Sequence, residues 1–155
     1  MATRDFYQAV GEALYCEELP KKLVLVDQLY DELLAGKLRP YQAEDLQEIL
    51  PAGRPAKPDL VPPQEVPRRK LGSKEGVLAL VHAICHIEFN AINLGLDAAY
   101  RFRNMPFDFY KDWLLVAKEE AKHFRMLSEH LESEGSFYGA FAAHNGLWDS
   151  AERTA

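Results

Sequence analysis

Apolar residues recur every three or four positions through several stretches of this chain, and that spacing predicts amphipathic helices. Residues 4–17 and 20–36 give the first two, the second opened by Pro20 in its first turn and closed by Gly36. Leu23, Val26, Tyr30, Leu33 and Leu34 form its covering stripe. A shorter helix is predicted over 42–50. From Ser73, a suitable N-cap, the pattern runs to about Arg103; it breaks at Asn104 and Pro106, then resumes near Phe107 or Asp108 and ends at Gly135. A last helix begins near Asn145.

The two long helices carry charge on their apolar faces. Val81, Ile84, Cys85, Ile92, Gly95 and Ala99 share one face of the first, and Glu88 falls within that stripe. Trp113, Val116, Ala117, Phe124, Leu127 and Leu131 form the inward stripe of the second, with Glu120 and His123 inside it. Glu119 is rotated by about 100° from Glu120 and leaves the stripe. Burying an ionised carboxylate costs several kcal/mol, against a net stability of roughly 5 to 15 kcal/mol for a whole domain. The expected burial therefore requires a compensating partner.

The short link RFRNMPF makes the helices antiparallel. At about 1.5 Å per residue, Glu88 lies roughly 24 Å from the turn, and Glu120 and His123 roughly 21 and 26 Å. All three reach one level. A Glu facing a Glu-x-x-His at equal depth is half the ligand set of a carboxylate-bridged di-metal site in a four-helix bundle, so Glu88, Glu120 and His123 are the candidate metal ligands.

Other polar residues read as structural. His82 and His86 share a face roughly 120 to 160° round the helix from Glu88, which suits packing against the N-terminal helices or the connector better than ligation. His130 reads as a core or interface histidine. Asn90, Asn93, Asp97 and Arg101 read as solvated or interhelical groups, Tyr100 and Tyr138 as packing residues with redox chemistry the weaker alternative, and His144 has no assigned role.

Composition bounds the rest. The 155 residues are 48% hydrophobic and 27% charged, which fits one globular domain with an appendage. A net charge of −6 argues against a general nucleic-acid or anionic-membrane surface, and the basic run Pro67–Lys70 is too short to reverse that. No leader opens the chain, and no apolar run approaches the roughly 18 residues of a membrane span, so the expectation is a cytoplasmic protein with no membrane partner. Cys16 and Cys85 are expected to be reduced, buried thiols. Six of the seventeen residues 51–67 are proline, which forbids helix and makes 51–72 a connector, read as a strap lying on the bundle. The organisation expected is thus an N-terminal helical segment over 1–50, the connector, and a helix pair with the start of another helix over 73–155.

The strings HAICHIEFNAINLGLDAAYRF, MPFDFYKDWLLVAKEEAKHF and YGAFAAHNGLWDSA, with the connector PAGRPAKPDLVPPQEVPRRKLGSKEG before them, resemble a bacterial ferritin-like family catalogued as a domain of unknown function. The resemblance covers most of the chain. It implies an all-α, ferritin-like helical bundle with a di-iron or di-manganese carboxylate centre, one half-site mapping onto Glu88, Glu120 and His123. It also implies an oxygen-activating oxidoreductase, with a metal-binding or storage protein and a non-catalytic helical interaction protein as alternatives. Members of that family usually continue through a second helix pair carrying its own Glu and Glu-x-x-His. The partner implied is that missing half, from the rest of a longer chain in preference to a homodimer mate.

Overall fold

The computed structural model describes residues 3–39 and 51–153, which form β1 (Arg4–Asp5), α1 (Phe6–Tyr15), α2 (Leu19–Leu34), β2 (Leu38–Arg39), α3 (Lys74–Arg101), α4 (Phe107–Ser133) and α5 (Gly146–Arg153). The protein is all-α, as the periodicity predicts. Its only sheet among the described residues is a parallel pairing of β1 with β2, Arg4 opposite Leu38, too short to leave a period-two pattern. The helix expected over 42–50 lies outside the described residues.

The helix ends follow local chemistry. The Asp5 carboxylate accepts from the Gln8 N–H at 2.9 Å and caps α1. Pro20 sits in the first turn of α2, and Ser73 Oγ accepts from the Gly76 N–H at 3.0 Å to open α3. Gly135 takes a left-handed φ of 81° just past α4, and the Ser136 N–H donates to the Leu131 carbonyl at 2.8 Å.

The chain divides into two compact units, and α3 and α4 each contribute to both. The first comprises Met1–Pro55 and Ile92–Ala121. Its core joins Phe6, Val10 and Leu14 of α1, Leu23, Val26, Leu29 and Leu33 of α2, Ile92 and Leu96 of α3, and Leu114 and Ala117 of α4. At Gly95 an added Cβ would stand 3.2 Å from the Ala117 Cβ, so glycine lets α3 and α4 approach closely. A polar node lies in this core. Lys22 is fully buried and donates to the Leu14 carbonyl at 2.8 Å and to Asn93 Oδ1 at 2.6 Å. Asn93 donates in turn to the Gly53 carbonyl at 3.4 Å, and the Gly53 N–H to the Leu14 carbonyl at 2.8 Å, which fixes the start of the connector on α1. Asn90, Asn93 and Asp97 are buried and not solvated; Asn93 bonds across to Lys22 of α2, whereas Asp97 pairs with Arg101 and Asn90 contacts His86 within α3 itself.

The second unit comprises Ala56–Ala91 and Lys122–Ala155. Cys85, Phe89, Phe124, Leu131, Ala143 and Trp148 form its core. The connector does lie here as a strap: the Val61 N–H donates to the Ala143 carbonyl at 2.8 Å, and the Ala143 N–H to the Asp59 carbonyl at 3.0 Å. Contact of Gly95 with Ala117 and of Cys85 with Phe124 makes α3 and α4 antiparallel, as the short link requires.

Two expectations are corrected. Cys85 is buried but Cys16 only half so, both as free thiols. And α3, 28 residues long with mean hydropathy 1.5 over its most apolar 18-residue window, is long and apolar enough by length and composition to cross a membrane. The reason is that its apolar residues occupy more than one face: Cys85, Phe89 and Ile92 are buried, while Val77, Leu80, Ile84 and Ile87 are exposed.

Candidate metal centre

Helical phase brings the predicted ligands together. One ligand atom from each of Glu88, Glu120 and His123 lies within 4.8 Å of the other two, the sole such group of three among the described residues. Glu88 Oε2 stands 3.9 Å from His123 Nδ1, too far for a hydrogen bond and within ion-pair range for a protonated ring. Glu120 precedes His123 by one turn of α4, so the two project from adjacent levels of one helix. Glu119 is exposed, as its rotation requires.

Burial departs from expectation. Glu88 and Glu120 are half-buried, and the His123 side chain is 48% exposed. The stripes read as inward are split: Cys85, Ile92, Ala117, Phe124 and Leu131 are buried, whereas Ile84 and Val116 are each 39% exposed. The physical reason is that no described element covers the face of α3 that carries Ile84 and Glu88. His130, expected at a core or interface, is exposed in the last turn of α4.

The other two α3 histidines lie on a different face, as their phase requires, but their partner is the segment after α4 and not the N-terminal helices. His86 Nε2 lies 3.0 Å from the His144 carbonyl, which only accepts, so Nε2 carries the ring proton and Nδ1 accepts the Tyr138 hydroxyl at 2.8 Å. His82 Nε2 accepts the Gly139 N–H at 2.9 Å, and burial pushes its pKa down to about 4. Both rings stack on Tyr138, whose own edge meets Phe124 at 4.9 Å. These histidines pin residues 138–144 onto α3. His86 and Asn90 also line a cavity of about 90 Å³ with Val66, Ala83 and Leu147. Of the two tyrosines, Tyr138 packs on Phe89 and Phe124, the chain neighbours of Glu88 and His123, whereas Tyr100 packs on Gly11 and Tyr15.

Sequence reading overlooked Lys22. It stands in register with Val26, Leu29 and Leu33 at helical spacing, on the buried stripe of α2. Burial lowers its pKa to about 7.

Comparison with known proteins gives the family of the chain. A family described as "Protein of unknown function (DUF455)" matches residues 15–155. The chain belongs to that family. An uncharacterized protein of Haemophilus influenzae is 48% identical to this DUF455 chain over 162 residues, which cover 97% of this chain and 56% of that protein. The chain therefore spans little more than half the length of that relative. No solved structure matches this DUF455 chain.

Proposed function

We propose that this protein is a ferritin-like carboxylate metalloprotein in which Glu88, Glu120 and His123 hold one ion of a di-iron or di-manganese centre that serves an oxygen-dependent oxidation. The observation that carries the reading is convergence: two carboxylates and an imidazole, drawn from two helices, present ligand atoms within 4.8 Å of one another. Oxygen donors with one imidazole suit Fe(II) or Mn(II), so the residues fit the group. When bound, such a centre supplies activation of dioxygen or peroxide.

The residues divide the work. Glu88 and Glu120 would supply carboxylate oxygens to the ion, with the negative charge that a divalent ion requires. His123 adds a neutral nitrogen donor from the open side. Buried Phe89 and Phe124, next in the chain to Glu88 and His123, give the two helices an apolar wall that keeps water away from the inner side.

Elemental analysis of the purified protein and equilibrium dialysis against Fe(II) and Mn(II) test this reading. Bound metal, lost in Glu120→Ala and His123→Ala, is expected. A protein that is metal-free as purified and binds neither ion in dialysis overturns it and leaves a helical interaction protein whose carboxylates serve as ion-pair partners. Oxygen uptake on adding ferrous iron, measured with and without candidate organic substrates, separates an oxidoreductase from a storage protein.

A further inference from the structure

The cavity of about 90 Å³ beside His86 lies wholly within the second unit, where α3, the connector and the residues after α4 come together. Its floor is buried: His86 and Asn90 are each 4% exposed. Val66, Ile87 and Leu147 form aliphatic sides, and the exposure of Ala83, Ile87 and Leu147 opens it to solvent. The floor carries a polar group that the fold does not use. His86 Nε2 donates its proton to the His144 carbonyl and Nδ1 accepts from Tyr138, so both ring nitrogens are engaged. The Asn90 amide nitrogen stands 3.4 Å from that same Nε2, and two N–H groups facing each other make no bond. Turned end for end, the carboxamide takes a weak share of the Nε2 proton through Oδ1 and leaves both amide protons without an acceptor. In either orientation Asn90 makes no other hydrogen bond among the described residues. Buried polar groups are ordinarily satisfied, by protein or by something bound.

We propose that this cleft binds a small neutral molecule with an amide head and a short, branched aliphatic body, the head pairing with the Asn90 carboxamide and the body lying against Val66, Ile87 and Leu147. Charge selects a neutral ligand. No lysine, arginine, aspartate or glutamate lines the cleft, and His144, the one titratable side chain there besides His86, accepts the Gly146 N–H on Nδ1 at 3.2 Å. An ion entering it loses hydration and meets no opposite charge. Asn90 selects the head: it presents a donor and an acceptor side by side, and an amide presents the matching acceptor and donor, so two bonds form together. Volume selects the size. Water takes about 30 Å³ per molecule in the liquid, so the space admits about three waters or an organic molecule of about four to six non-hydrogen atoms. Waters there find polar partners at the floor only; those against the aliphatic sides are poorly held, and an apolar body that displaces them gains affinity. None of Glu88, Glu120 and His123 lines the cleft, so the inference is independent of the metal reading.

A methyl NMR titration of the chain with isobutyramide, in chelator, tests this. Saturable shifts are expected at the Val66, Ile87 and Leu147 methyls, with a Kd on the order of 1 mM for a ligand this small. Two relatives of the probe read the head: isopropyl methyl ketone, in which a methyl replaces the amide nitrogen, and isobutyrate, in which the head is charged, are each expected to bind at least about tenfold more weakly. Asn90→Leu, which keeps the bulk and removes the carboxamide, is expected to weaken isobutyramide by at least about tenfold as well. Should that variant fail to fold by circular dichroism, Ala83→Leu, at an exposed position on the rim, closes the cleft and is expected to abolish the shifts, while the ketone and the carboxylate carry the test of the head. The absence of saturable shifts at these methyls overturns the proposal and leaves the cleft to water. Equal affinity for the ketone, or in Asn90→Leu, reduces the cleft to an apolar notch, and equal affinity for isobutyrate makes it an anion site; each overturns the proposal. Because the titration runs without metal, its failure leaves the metal reading to elemental analysis, and a metal-free protein leaves the titration standing.

Discussion

Glu120→Gln is expected to make the metal-free protein more stable and at the same time to abolish its response to metal. The reasoning starts from the distance: ligand oxygens of Glu88 and Glu120 lie within 4.8 Å. Two like charges at that separation repel by about 0.9 kcal/mol in water and about 3.5 kcal/mol at the effective dielectric of a protein surface site. Glu88 has a side-chain exposure of 20% and Glu120 is half-buried, so a value of about 1 to 2 kcal/mol is the working figure, which amounts to about 3 to 6 °C in Tm for a chain of this size. Metal acts in the opposite sense. An ion at a hundredfold excess over its Kd stabilises the wild type by about 2.7 kcal/mol, or about 5 to 10 °C.

The assay is a thermal scan of wild type and Glu120→Gln, first in chelator and then with Mn(II), repeated at high salt, where screening shrinks the chelator difference between the two proteins. In chelator the variant should melt above the wild type; with Mn(II) the order should reverse. A variant that melts lower in chelator, together with a wild type indifferent to Mn(II), refutes the reasoning, because the carboxylate is then held by fixed protein groups and supports the fold.

Two further outcomes follow from buried bases in the two units. Lys22 has a folded-state pKa near 7 against 10.5 for a free lysine, because burial disfavours its charge; the unfolded chain takes up the proton, so stability should rise as pH climbs from 7 towards 10.5 and be flat with respect to this group below 7. The ceiling is about 5 kcal/mol, lowered by the Leu14 carbonyl and Asn93 Oδ1, both of which accept from the ammonium; urea melts across this range should lose the slope in Lys22→Met. His82, pushed down to about 4 from 6.5, charges more readily when unfolded, so stability should fall as pH drops from 6.5 to 4, by up to about 3 kcal/mol. His82→Phe should flatten that limb of the same melts, and an unchanged acid limb would show that the ring is solvated.

What the amino-acid order reveals here is what a single helix decides by itself. The caps at Ser73 and Gly135 and the convergence of Glu88 with Glu120 and His123 depend only on residues within a turn of one another, on rise per residue and on the length of one tight link, and each is legible. Burial depends on neighbours that the period does not name. His82 and His86 were placed on the right face, but their cover is residues 138–144, a Gly- and Ala-rich segment with no period to betray it, and the acceptors that hold Lys22 come from α1 and α3. A lysine in an apolar stripe ordinarily reads as a stem that snorkels its charge to water, which is why phase alone did not single it out. The same limit explains the misjudged burial of Glu88. An apolar stripe is legible in the sequence of α3, but α3 is apolar on two sides and the period does not say which of them the described residues cover: His82, Cys85 and Phe89 are buried, whereas Ile84 and Ile87 are exposed.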